Sequence, residues 1–160
     1  MKGKIKNEVE IRNKLNLPDY YEILGEEEID GEKTYICGQS DEDGYCMFTV
    51  RDFRRLNFYP KINLVYFEDK EGNVKIADII TGDYKNRGCG SLLMKYLINY
   101  LEGRQDIKKV NGVLVNDDSD HFDRIEHFYK KFGFEVKFKL NENGEKISGS
   151  IEKIINSFNK

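Results

Sequence analysis

The chain has 160 residues, of which 39% are hydrophobic and 34% charged, and 26 basic against 29 acidic residues give a net charge of −3. This composition predicts one globular domain over residues 1–160, without the basic excess that binding along a nucleic acid backbone requires. No apolar run reaches the length of a membrane span and no secretory signal follows the first lysines, so we expect a cytoplasmic protein that binds no membrane.

The first half of the chain has the pattern of β-structure. A short helix is predicted within residues 1–17, ending before Pro18. Asp30-Gly31 stands between two β-prone runs and predicts a two-residue hairpin turn. Strands are also predicted within residues 44–52 and 61–81, the second range with a turn at 71–73.

The second half alternates helices and strands. Apolar residues at three- and four-residue spacing predict helices within 91–103 and 120–133, with a short buried strand at 110–115 between them. Apolar residues alternate along residues 134–140, which predicts a strand. The "NENG" turn that follows predicts a second, antiparallel strand over 145–151. This order predicts an α+β fold, a mixed β-sheet flanked by helices with a strand-rich N-terminal half.

A glycine-rich loop lies between a strand and a helix in "DYKNRGCGSLLMKYL", residues 83–97. Two glycines in the first turn of a helix leave backbone N–H groups accessible to a phosphate, with Lys85 and Arg87 adding positive charge and Ser91 a hydroxyl. The Walker and dinucleotide motifs fit less well, because no lysine follows Gly90 and the third glycine is missing. A plain helix start and a nucleotide-binding loop remain alternatives.

Two segments resemble the GNAT superfamily of acetyl-CoA-dependent N-acetyltransferases. "YKNRGCGSLLM" is similar to its acyl-CoA loop, and "HFYKKFGF" is similar to its second signature, about forty residues later with a strand between them. The resemblance covers residues 74–140. It implies acetyl-CoA as co-substrate, an amine acceptor that is a small molecule or a protein, and direct attack in a ternary complex with no metal.

The resemblance also implies the residues of the site. The strand before the loop would part from its parallel neighbour and pair with the pantetheine arm, and the loop would wrap the coenzyme A diphosphate. Asn116 would replace an asparagine that the family has where Phe122 stands. The implied cofactor-binding set is Ile79, Ile80, Thr81, Lys85, Asn86, Arg87, Gly88, Cys89, Gly90, Ser91 and Asn116.

Two residues are candidates for catalysis. Tyr129 matches the family's general acid, which would protonate the departing thiolate, although a packed core tyrosine is the alternative. Asp78 is the candidate general base, with a carboxylate at a strand edge or bulge as the alternative. A non-catalytic acyl-CoA-binding or interaction module on the same fold therefore remains open, and exposed strand edges would permit a homodimer.

The sequence offers little for a metal. His121 and His127 lie six residues apart, without metal-ligand spacing, and we expect structural roles for them. The three cysteines, Cys37, Cys46 and Cys89, are an odd number without close pairing, which indicates thiols rather than disulfides or a zinc site.

Overall fold

The computed structural model describes residues 7–53, 62–80, 88–115 and 121–156. The described part of the chain contains three helices: α1 (Glu8–Lys14), α2 (Cys89–Glu102) and α3 (Phe122–Lys131). It contains eight strands: β1 (Glu22–Ile29), β2 (Glu32–Ser40), β3 (Tyr45–Asp52), β4 (Asn63–Glu68), β5 (Asn73–Ile80), β6 (Lys109–Leu114), β7 (Glu135–Leu140) and β8 (Lys146–Ile154). The predicted α+β fold class is confirmed.

The strands form one mixed sheet in the order β1-β2-β3-β4-β5-β6-β8-β7. Neighbouring strands are antiparallel except β5 and β6, which are parallel. Parallel strands need a crossover connection, and α2 provides it between β5 and β6. The start of α2 consequently lies near the end of β5, where the glycine-rich loop joins them.

The strand-rich N-terminal half follows the sequence prediction. Asp30 and Gly31 have φ of 54° and 78° and connect β1 directly to β2, as a two-residue hairpin of the predicted kind requires. Asp69 organises the turn between β4 and β5, since its Oδ1 accepts hydrogen bonds from the backbone N–H groups of Glu71 and Asn73 at 2.8 and 2.9 Å. The helix predicted within residues 1–17 is α1.

The helices cover opposite faces of the sheet. Ile36 of β2 belongs to a large buried cluster that includes Leu93 and Leu97 of α2. Its neighbours Tyr35 and Cys37 belong to a second cluster that includes Ile11 and Leu15 of α1. Because successive side chains of a strand point to opposite faces, α1 and α2 pack on opposite sides of the sheet. Phe122 and Tyr129 of α3 belong to the larger cluster, with α2.

Helix α2 packs closely over the edge strand β1 at Gly25. A Cβ at Gly25 would lie within 2.8 Å of three atoms of the Tyr96 ring and hydroxyl, so a larger residue there would force that ring to move. The Tyr96 hydroxyl donates a 2.6 Å hydrogen bond to the Glu27 carboxylate. Burial, followed by this contact, raises the pKa of Tyr96. The contact fixes the helix that carries the glycine-rich loop.

Two irregularities shape the middle of the sheet. In the β4–β5 ladder Val65 pairs with Asp78 and Tyr66 with Ile76, so Ala77 is an extra residue that forms a β-bulge. The β5–β6 ladder runs only from the Asn73–Lys109 pair to the Ile76–Gly112 pair. Beyond this ladder β5 still pairs with β4, and β6 still pairs with β8. The facing edges of β5 and β6, however, part from each other.

None of the helices among the described residues combines the length and the apolar character needed to cross a membrane.

Candidate functional site

A cleft of about 480 Å³ opens where β5 and β6 part. Its lining combines side chains of both sheet faces. Ile76 and Ile79 pack with the larger cluster on the side of α2. Asp78 also lines the cleft, and it pairs with Val65, which packs against the cluster of α1 on the other side. Residues on both faces of β5 thus line one cleft, at the point where β5 and β6 no longer pair.

The start of α2 forms one wall of this cleft. Gly88 has φ of 79° and caps the helix without a side-chain hydrogen bond, and the first turn contains no acidic residue. The first helical hydrogen bond runs from the N–H of Leu92 to the carbonyl of Gly88. The N–H groups of Gly90 and Ser91 consequently have no acceptor within the helix. Together with the helix dipole they favour an anion.

One row of side chains on α3 forms the opposite wall. Arg124, His127, Phe128 and Lys131 line the cleft, and their spacing of three and four residues places them along one face of the helix. The Lys131 ammonium donates a 2.8 Å hydrogen bond to Ser91 Oγ. It also lies 5.7 Å from the centre of the Phe128 ring and 5.2 Å from that of Phe132.

The sequence analysis did not single out this row of side chains, because it considered "HFYKKFGF" only as a family signature that contains Tyr129. The signal was present, because residues 124, 127 and 131 repeat at helical spacing on the face beside the apolar one. What the sequence did not reveal is that this polar face lies opposite the first turn of α2.

Tyr129 lies at the same cleft and is 8% exposed. Its ring makes edge contacts with Phe128 and Phe134 at centroid separations of 5.2 and 5.3 Å. It thus combines the position expected of a general acid with the packing expected of a core tyrosine.

Asp78 lies directly after the bulge residue Ala77, and its side chain is exposed at the cleft. The bulge shifts the alternation of β5, so that Asp78 lies on the sheet face opposite Ile76 and Ile79. Asp78 and Tyr129 line the same opening.

The other predicted binding residues divide into two groups. Ile79, Gly88, Cys89, Gly90 and Ser91 line the cleft, and Ile80 ends β5 beside it. The remaining five lie outside the described residues: Thr81, Lys85, Asn86, Arg87 and Asn116. The structure thus brings the described part of the predicted set together with both catalytic candidates.

The two histidines differ from expectation. His121 and His127 were assigned structural roles, yet both are exposed and line the cleft. His121 is the N-cap residue of α3, without a side-chain capping hydrogen bond, and His127 lies on the face of α3 that lines the cleft, which the six-residue spacing alone did not reveal. Among the described residues, no three His, Cys, Asp or Glu side chains are grouped to hold a metal ion.

A second cleft, of about 400 Å³, lies at the other end of α2 and contains none of the predicted site residues. Its polar wall is the Glu68–Arg104 ion pair, with 2.7 Å between Oε2 and Nη1. Cys46 contacts Glu68 at 3.9 Å, and burial followed by that negative charge raises the pKa of its thiol to about 11. A thiol with so high a pKa is a poor nucleophile at neutral pH.

Comparison with known proteins bears on the fold. No family model matches the sequence. An uncharacterized protein of Bacillus subtilis, YocC, is 27% identical over 124 residues, which cover 78% of this chain and 73% of YocC.

Solved structures give a clearer likeness. The ribosomal-protein-S18-alanine N-acetyltransferase of Escherichia coli superposes with a TM-score of 0.55 at 15% identity, covering 76% of this chain and 75% of that one. An acetyltransferase of the GNAT family from Streptococcus pneumoniae gives a TM-score of 0.52 at 17% identity, covering 72% and 70%. The chain therefore has the fold of the GNAT acetyltransferases, as the resemblance in the sequence implied.

Proposed function

We propose that the protein is an N-acetyltransferase that transfers the acetyl group of acetyl-CoA to an amine by direct attack in a ternary complex. The observation that carries the proposal is the cleft between α2, α3 and the ends of β5 and β6 that no longer pair with each other. A thioester entering from the side of α2 and an amine entering from the opposite face would meet where the strands part. Holding two reactants in line accelerates a bimolecular transfer without a covalent enzyme intermediate.

The donor side of the cleft suits a coenzyme A thioester. The N–H groups of Gly90 and Ser91 and the ammonium of Lys131 would hold the diphosphate. The edge of β5 after Ile76, which pairs with no described strand on the side of β6, would hydrogen-bond the pantetheine arm. A backbone N–H on this edge would also stabilise the oxyanion that develops on the thioester carbonyl.

The acceptor side contains the carboxylate of Asp78. Exposed on the face opposite α2, it would attract an ammonium group and take its proton, directly or through a water molecule, as the amine attacks. Tyr129 would protonate the departing thiolate from within the cleft. The single domain of residues 1–160, a cytoplasmic location and the absence of a metal requirement belong to the same proposal.

The direct test is calorimetric titration of the purified protein with acetyl-CoA, with ATP and NADH as controls. Saturable binding of acetyl-CoA alone is the expected result, because the cleft combines a phosphate site with a strand edge for the pantetheine arm. Binding of ATP in competition with coenzyme A would support a nucleotide-binding protein instead. If acetyl-CoA fails to bind, the acetyltransferase proposal is wrong.

The amine acceptor would be identified by screening candidate amines. Small amines, polyamines and peptides with free N-termini would each be incubated with acetyl-CoA, and release of coenzyme A would be followed by its thiol. The peptide arm is included because one structurally similar enzyme is named for acting on an alanine of ribosomal protein S18.

The packing of Tyr129 favours a second candidate, a non-catalytic acyl-CoA-binding module. Its ring lies between Phe128 and Phe134 and is almost fully buried. The variant Tyr129→Phe separates the two functions, because it retains the ring contacts and removes only the hydroxyl. If Tyr129 is the general acid, kcat should fall by roughly 10²- to 10³-fold with acetyl-CoA affinity unchanged. Unchanged turnover would remove Tyr129 from the mechanism, and a wild-type protein that binds acetyl-CoA but acetylates no amine would support the module.

A further inference from the structure

Two opposite charges lie next to each other on the sheet face that carries α1. In the β4–β5 ladder Asp78 pairs with Val65 and Lys75 pairs with Phe67. Lys75 and Asp78 are three residues apart, and the bulge at Ala77 is what brings both side chains to the same face. Because Val65 and Phe67 are two residues apart on β4, Lys75 and Asp78 are separated by about 7 Å along β5. Both side chains are exposed.

An exposed apolar surface surrounds these two charges. Phe67 and Val113 are 43% and 60% exposed, and the Phe67 ring packs on that of Tyr45, with 5.5 Å between the ring centres. Val113 lies on this face because the next residue of β6, Leu114, belongs to the cluster on the side of α2. Val113 and Asp78 both line the cleft. The buried cluster of α1 draws on β1, β2 and β3, so none of the described helices covers this surface.

Neighbouring charges of the same face are neutralised within the protein. Asn111 pairs with Lys75 on one side and with Glu152 on the other, and the Glu152 carboxylate lies 3.3 Å from the Lys109 ammonium. Within the part of the chain that the structure describes, the side chains of Lys75 and Asp78 have no such partner. The surface beside the cleft therefore offers one carboxylate for an ammonium group and one ammonium for a carboxylate.

We propose that the amine acceptor is a free α-amino acid with an apolar side chain, and that Lys75 selects it by binding its carboxylate. This inference rests on the proposed function. The α-ammonium group would lie at Asp78, and the apolar side chain would pack on Phe67 and Val113. The flexible four-carbon stem of Lys75 allows its ammonium to reach a carboxylate attached to the same carbon as the reacting amine.

The transfer itself follows from the proposed mechanism. The α-ammonium passes one proton to the Asp78 carboxylate, directly or through water, and the nitrogen forms a bond to the acetyl carbon. The carbon–sulfur bond breaks, its electron pair goes to the coenzyme A sulfur, and that sulfur takes up a proton. The products are an N-acetylated amino acid and coenzyme A. Lys75 contributes by positioning the acceptor, so it should affect KM far more than kcat.

The test compares leucine with leucinamide, which has the same amine position and side chain but no carboxylate. Release of the coenzyme A thiol from acetyl-CoA gives kcat and KM for both acceptors. The wild type should prefer leucine. Lys75→Ala should raise the KM for leucine by roughly 5- to 30-fold, the effect of losing one charge-assisted contact at an exposed site, and reduce the preference by the same factor. Lys75→Arg should retain most of it.

Lys109→Ala is the matched control, because Lys109 lies on the same face but is paired with Glu152. It should leave the ratio of kcat/KM for leucine to that for leucinamide as it is in the wild type. Since Lys75 is exposed, its variants should also unfold at the same urea midpoint as the wild type.

Three results would overturn the inference while leaving acetyl-CoA binding in place. The first is an unchanged KM for leucine in Lys75→Ala, and the second is an equal loss for leucine and leucinamide. The third is a wild type that binds acetyl-CoA but acetylates only polyamines or peptides, or no amine at all. Failure of the wild type to bind acetyl-CoA would instead overturn the proposed function and, with it, this inference.

Discussion

The contact between Gly25 and Tyr96 predicts that one added methyl group will loosen α2 from the sheet. In Gly25→Ala the new Cβ would overlap the Tyr96 hydroxyl oxygen and lie 2.7 and 2.8 Å from two ring carbons. The ring must move, and its 2.6 Å hydrogen bond to Glu27 would be lost. A hydrogen bond to a charged group contributes about 1.5–3 kcal/mol.

The expected loss for Gly25→Ala is therefore about 2 kcal/mol in the free energy of unfolding. For a chain of this length that corresponds to a fall in Tm of roughly 4–8 °C. Urea unfolding followed by circular dichroism measures the free energy, and the midpoint should fall with little change in slope.

The same substitution at the end of α2 should change the free energy of unfolding in the opposite direction. Gly103, at the C-terminal end of α2, has φ of −78°, and an added Cβ would meet its nearest atoms at 3.6 and 3.7 Å. Alanine fits there without strain and reduces the entropy of the unfolded chain, so Gly103→Ala should stabilise the protein by about 0.4–1 kcal/mol.

A double-mutant cycle tests the cause. If the Tyr96 ring is the obstacle, Gly25→Ala should cost much less in a Tyr96→Ala background than in the wild type. Additive effects of the two substitutions, or a Gly25→Ala protein as stable as the wild type, would refute the reasoning from the close approach.

Two further predictions concern thiols and acid stability. Burial raises the pKa of Cys37 to about 12 and of Cys46 to about 11, and Cys89 is only 2% exposed. The thiols of the native protein should therefore react slowly with Ellman's reagent, and three thiols per chain should react in denaturant. Fast reaction of any thiol in the native protein would contradict this burial. Hydrogen bonds from Arg104 lower the pKa of Asp106 in the folded protein below the ordinary value of 3.8. The stability that the Asp106 carboxylate contributes is therefore complete above pH 3.8, and it is lost as the pH falls through the lower pKa of the folded state. Asp106→Asn should therefore reduce the urea midpoint at pH 7 and leave it nearly unchanged at pH 2, whereas an equal reduction at both would show that the carboxylate charge is not involved.

Local patterns in the sequence predicted most of the elements. The helical spacing of Leu93 and Leu97 located α2, and Asp30-Gly31 located the first hairpin, because a helix face and a two-residue turn depend on residues close together in the chain. The two glycines of the loop likewise indicated a phosphate site at a helix start, since accessible N–H groups in a first turn are a local property. The chain itself thus determined the fold class, the order of the elements and the candidate donor loop.

Only the tertiary structure showed what those elements form together. The parting of β5 from β6 after Ile76 results from pairing between strands distant in sequence, and the bulge at Ala77, which places Asp78 on the far face, results from the register between β4 and β5. The contact of Lys131 with Ser91 joins residues forty positions apart. Side chains so far apart leave no periodic signal in the sequence, because the sheet and the two helices, rather than the local chain, bring them to one cleft.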